Sequence, residues 1–77
     1  MTFIETLLAN GYPEGDIYHN GTDLYIYVTP LTTRLVKEYC KNNNFDMGWH
    51  FPTFTDQITG RLMYDCAFQY YDYKREE

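Results

Sequence analysis

An α+β fold is predicted for this chain: a four-stranded antiparallel sheet of two hairpins with two helices on one face, in the order α-β-β-α-β-β. Three observations lead there. Two segments carry apolar residues at helical spacing, and each opens on a threonine placed to cap it. Asn20-Gly21 separates two alternating segments and is the strongest short-range hairpin signal available. A second pair of alternating segments, Phe45 to Phe54 and Leu62 to Tyr73, is joined by the polar stretch Thr55 to Arg61.

The first helix is expected from about Phe3 to Asn10. Thr2 and Glu5 have capping-box spacing, Phe3, Ile4, Leu7 and Leu8 form the apolar stripe, and Gly11 supplies the left-handed turn that ends it. Tyr12 closes the helix end by packing back, and Pro13, Glu14 and Gly15 make a connecting turn. The first hairpin then runs Asp16 to His19, Asn20-Gly21, and Thr22 to Thr29. A two-residue type I′ turn pairs His19 with Thr22 and Ile17 with Leu24, so Ile17, Leu24, Ile26 and Val28 face the core. The opposite face carries Asp16, Tyr18, Asp23, Tyr25 and Tyr27.

Thr29-Pro30 opens the second helix, with threonine as cap and proline in the first turn, where its missing N–H costs nothing. Leu31, Leu35, Val36, Tyr39 and Cys40 form its buried stripe, Arg34, Lys37, Glu38 and Lys41 its solvated side, and Asn42 to Asn44 its end. In the third strand Phe45, Met47, Trp49 and Phe51 share the core parity, leaving Asp46, Gly48 and His50 outside. Pro52 marks an edge or bulge there. In the fourth strand Leu62, Tyr64, Cys66, Phe68 and Tyr70 face the core, while Met63, Asp65, Ala67, Gln69, Tyr71 and Tyr73 face out. Residues 74–77 form a solvated tail, and residues 1–77 a single small domain.

With 77 residues, a hydrophobic fraction of 44% and 19% aromatics, the chain is too apolar for disorder. A domain of this size buries roughly 60% of the surface its unfolded chain exposes, so its stability is modest and readily supplemented by a partner. The apolar runs are too short for a membrane span, and residues 1–9 lack the basic start and long apolar core of a secretory signal. Two cysteines, Cys40 and Cys66, are too few for a disulfide framework and suit a reducing compartment. Cytoplasm is the expected location.

Eleven acidic against six basic residues give a net charge of −5. A binder of nucleic acid or anionic membrane must neutralise phosphates with lysine or arginine, so neither is an expected direct partner. The outer sheet face sharpens this. Nine of the residues are tyrosine, and Tyr18, Tyr25, Tyr27, Tyr71 and Tyr73 share that face with Asp16, Asp23, Asp46 and Asp65, with His50 and Gln69 nearby and no lysine or arginine. Exposed tyrosines on a sheet resemble the stacking platforms of single-strand binders, but four carboxylates there would repel a phosphate backbone. Tyrosines that only pack across strands are the structural alternative.

The same acids and tyrosines suit a basic protein surface: carboxylates accept from arginine and lysine, and tyrosines fill the apolar gaps. In size, acidity and lack of a catalytic motif, the chain resembles the small phage-borne inhibitors of host defence, such as anti-CRISPR proteins and DNA mimics. The resemblance rests on no motif and assigns no residue. It implies a non-enzymatic inhibitor, and a partner that is a basic protein such as a nucleic-acid-binding effector.

Two other readings stay open. The same face or a sheet edge could pair with itself to make a homodimer. His50 with Asp46 and Asp65 could build a small metal or acid-base site, although a lone histidine among scattered aspartates is an ordinary surface pattern. His19 reads as a turn residue and both cysteines as buried thiols. No phosphate-binding loop, nucleophile elbow or Cys-x-x-Cys is present, so no cofactor and no catalytic residue is expected.

Overall fold

Thr2 opens the first helix, α1 (Phe3–Ala9), through a complete capping box: its hydroxyl accepts from the Glu5 N–H and the Glu5 carboxylate accepts from the Thr2 N–H at 2.8 Å. The helix belongs to a computed structural model that describes residues 2–20 and 23–66. Gly11, at φ 91°, lets the Tyr12 N–H return to the Leu7 carbonyl, which satisfies an end of the helix that a β-carbon would strain. Tyr12 is thereby delivered into the core.

The Tyr12 hydroxyl donates to the Asp16 carbonyl (2.7 Å) and accepts from the Tyr27 N–H (3.1 Å), joining the first turn to the sheet. Burial, with the Asp16 carboxylate adding to it and the Tyr27 N–H opposing it, pushes the phenol from 10.0 up to about 12. The folded chain holds this proton more tightly than the unfolded chain. Its contribution to stability is therefore complete below pH 10 and is lost as pH rises through about 12. Tyr12→Phe strands a buried N–H, and is expected to cost about 1–3 kcal/mol in urea unfolding at neutral pH and to flatten the alkaline loss. An alkaline profile as steep as that of the wild type would dispose of this account.

Four strands form one antiparallel sheet in the order β1-β2-β4-β3: β1 (Tyr18–Asn20), β2 (Asp23–Tyr27), β3 (Thr53–Thr55) and β4 (Leu62–Asp65). The α+β class and the four-stranded antiparallel sheet stand as predicted. The first hairpin is paired two residues away from the expected register, with Tyr18 opposite Tyr25 and Asn20 opposite Asp23. Side chains repeat every two residues along a strand, so this shift leaves every residue on its expected face. Asp16 lies outside the strand, in a 3₁₀ turn at Glu14–Asp16 that follows Pro13.

The second helix, α2 (Pro30–Asn43), begins and ends as the sequence predicts. Thr29 caps it, and the buried Thr32 hydroxyl donates to the Tyr27 carbonyl at 2.7 Å, fastening the helix start to the end of β2. Asn44 adopts the left-handed conformation (φ 56°), which asparagine tolerates, and Phe45 N–H returns to the Cys40 carbonyl. Leu35, Val36 and Cys40 pack with Phe3, Ile4 and Leu7 of α1 over Leu24, Ile26 and Tyr64 of the sheet and Cys66 just after β4. Both helices therefore cover one face.

The third predicted strand is the main departure. Residues Met47–His50 form a short helix, α3, because the Asp46 carboxylate accepts from the N–H groups of Gly48 (2.9 Å) and Trp49 (3.2 Å) and so starts a turn. The alternation of Phe45, Met47, Trp49 and Phe51 is accordingly not a strand face: Trp49 is 71% exposed, whereas Phe51 at 1% fills the core against the Phe3 ring, 4.9 Å away. Only Thr53–Thr55 of this segment pairs in the sheet. Leu62, expected in the core, is exposed because it lies at the strand end, opposite Thr55. Among the described residues no helix is long and apolar enough to cross a membrane.

Candidate functional site

The sheet face turned away from the helices is set by strand register. Tyr25 pairs with Asp65 and Tyr27 with Met63 across β2 and β4, Met63 pairs with Phe54 across β4 and β3, and Tyr18 pairs with Tyr25 across β1 and β2. Directly opposed residues point the same way. One face thus collects Tyr18, Asp23, Tyr25, Tyr27, Phe54, Met63 and Asp65.

These side chains support one another. The Tyr18 and Tyr27 hydroxyls share a hydrogen bond of 2.9 Å, with the rings edge to face at 5.6 Å. That bond is the main reason the Tyr18 phenol is raised above its ordinary range. Tyr25 meets Phe54 edge to face at 5.0 Å. Burial, and then a hydrogen bond to the Asp23 carboxylate, raises the Tyr25 phenol too, and the Asp65 charge acts in the same direction. Asp23 and Asp65 therefore both bear on Tyr25.

The face is not as bare as the sequence implies. The β3–β4 connection, residues 56–61, folds into a defined turn. The Asp56 carboxylate accepts from the Thr59 hydroxyl (2.7 Å) and N–H (3.2 Å), and Gly60 takes the left-handed conformation at φ 73°. The Thr59 hydroxyl is the main cause holding the Asp56 carboxyl below its ordinary range. This turn delivers Arg61, whose guanidinium lies 3.7 Å from the Tyr27 ring centroid. Tyr27 is consequently 8% exposed, and the expectation of a face without arginine is corrected.

Between the turn and the sheet a cleft of about 410 Å³ remains, lined by the apolar groups of Tyr18, Tyr25, Tyr27, Phe54, Ile58 and Met63 and by Asp56 and Thr59 of the turn. Ile58, one of the lining residues, is 94% exposed. An apolar cleft with a few polar groups at its edge is the form that ligand and side-chain pockets take.

Of the expected site residues, Tyr18, Asp23, Tyr25, Tyr27 and Asp65 are brought together on this face. Asp16 is close enough to Tyr18 to affect its phenol, but from the 3₁₀ turn and not from the strand. Asp46 and His50 are not on the sheet. Asp46 is spent as the cap of α3, with its charge acting on the Cys40 thiol of α2, and the His50 ring stacks on Phe45 at 4.1 Å. Among the described residues no group of three or more His, Cys, Asp or Glu could hold a metal ion, so Asp46, His50 and Asp65 do not converge. Gln69, Tyr71 and Tyr73, with Ala67, Phe68 and Tyr70 and the 74–77 tail, lie outside the described residues.

Both cysteines are free and buried, and burial raises both thiols above their ordinary range. Sequence reasoning missed Phe54, Asp56, Ile58 and Arg61 as parts of the site. Phe54 was within reach of it, because closing the second hairpin over residues 56–61 places Phe54 opposite the outward Met63. Ile58 and Arg61 reach the face only through the folding of the turn, which alternation does not encode. Comparison with family models, curated proteins and solved structures finds no match for the chain.

Proposed function

We propose that this protein is a non-enzymatic binding module that docks its tyrosine and aspartate sheet face on a basic protein surface and blocks it, in the manner of phage anti-defence proteins and DNA mimics. The observation that carries the reading is the pairing of an open aromatic cleft with Asp23 and Asp65 on the same face. Tyrosine and phenylalanine rings already locked edge to face offer contact area without a further ordering cost. The net charge of −5 speeds the approach of a cationic partner and repels nucleic acid. A nucleic-acid-binding effector presents the complementary surface. Two buried, free thiols suit work in the cytoplasm, where thiols stay reduced.

The test is retention of a partner on immobilised protein at graded ionic strength. A basic polypeptide is expected to be held at low salt, released as salt rises, and not held by the protein carrying Asp23→Lys and Asp65→Lys. Equal retention by the charge-reversed protein overturns the reading.

A further inference from the structure

The cleft has two unlike ends. Along β2 and β4 the Tyr25–Asp65 pair lies at one end and the Tyr27–Met63 pair at the other. Just beyond the first end, outside the cleft lining but on the same face, stand Asp23 and Asp65, both acting on Tyr25. At the second end the charges are mixed: Arg61 lies over Tyr27 and bears on Tyr18, as Asp16 does, and Asp56 stands in the same turn as Arg61. An occupant is therefore drawn more strongly to place positive charge at the Tyr25 end, since at the other end Arg61 offsets the carboxylates and already fills the cationic position over the ring.

The interior is of a different character. Ring faces, Met63 and Ile58 make it apolar, and the hydroxyls of Tyr18 and Tyr27 are already bonded to each other. A polar group inserted here would give up its hydration for little return, whereas an apolar side chain loses only unfavourable hydration.

Resting on the docking reading above, we infer that the cleft receives one large apolar side chain of a basic partner segment, bound in a fixed direction with the segment's arginine or lysine at the Asp23 and Asp65 end. Ile58 closes over the inserted side chain, and Arg61 disfavours the reversed orientation. The cleft is already walled by the Asp56 turn, so the occupant meets a formed site and does not have to build one.

Selection of short randomised peptides on the immobilised protein tests this. The expected outcome is enrichment of sequences with a large apolar residue and arginine or lysine on one consistent side of it. Enrichment of basic sequences with no apolar anchor, or with charge on either side equally, overturns the inference and leaves the docking reading standing. Enrichment of neutral or acidic sequences, or none at all, overturns both. A second variant guards against folding artefacts: Ile58 is 94% exposed, so Ile58→Asp cannot disturb the core. It is expected to weaken a selected peptide about tenfold, and an unchanged affinity overturns the inference.

Discussion

Reversing Asp23 and Asp65 together to lysine is expected to weaken binding of a basic partner or selected basic peptide on the order of a hundredfold at low salt. The size follows from position. Both carboxylates act on Tyr25, which is half-buried and packed on Phe54. Asp23 is exposed but Asp65 is half-buried, so a cation placed at Asp65 is partly shielded from water and gains more than at an open rim. The reversal adds repulsion to the lost attraction. Titration by fluorescence anisotropy at low and high salt measures it, and the difference between wild type and variant should shrink as salt rises. Asp46→Lys is the control. Asp46 caps α3 and lies off the sheet face, so this change should cost about 1 kcal/mol of stability and leave affinity as it was. The double reversal changes the net charge by four units and Asp46→Lys by two, so a loss at Asp46→Lys about half as large in free energy would mean that bulk charge, and not this face, attracts the partner.

Phe51→Ala is expected to abolish cooperative folding. Its ring is 1% exposed, 4.9 Å from Phe3 and 6.0 Å from Tyr39, and so ties α1, α2 and the end of α3 together. Removing a buried phenylalanine costs about 3–5 kcal/mol, and a core in a domain of this length supplies about that much in total. Urea unfolding followed by circular dichroism should show no transition, or one displaced to very low denaturant. Trp49→Ala, two residues away and 71% exposed, should move stability by no more than about 0.5 kcal/mol. Alternation treats the two residues as equals. A large loss at Trp49 would restore a strand in this segment.

How far the sequence can be read depends on whether the signal is local. Thr2 with Glu5, Thr29 with Pro30, and Gly11 act within a few residues, and each helix they bound forms where they place it. The tyrosine face survived even a register shift, because a two-residue slip moves no side chain to the other face. Asp46 shows the opposite case. Its cap turned an alternating segment into a helical turn, and two local signals of similar strength met in Phe45 to Phe51. The cap prevailed where Phe51 could still reach the core.

Composition and local pattern by themselves determined a small acidic α+β domain with a four-stranded sheet, and placed Tyr18, Asp23, Tyr25, Tyr27 and Asp65 on one face. Only the tertiary structure decided that the face is a walled cleft. Arg61 over Tyr27, Ile58 at the cleft and Phe54 against Tyr25 come from a turn and an edge strand whose positions depend on the closed sheet. The same closure sent Asp46 and His50 to α3 instead. Periodicity records which side of its own element a residue faces. Which elements meet, and what stands between them, is settled by packing.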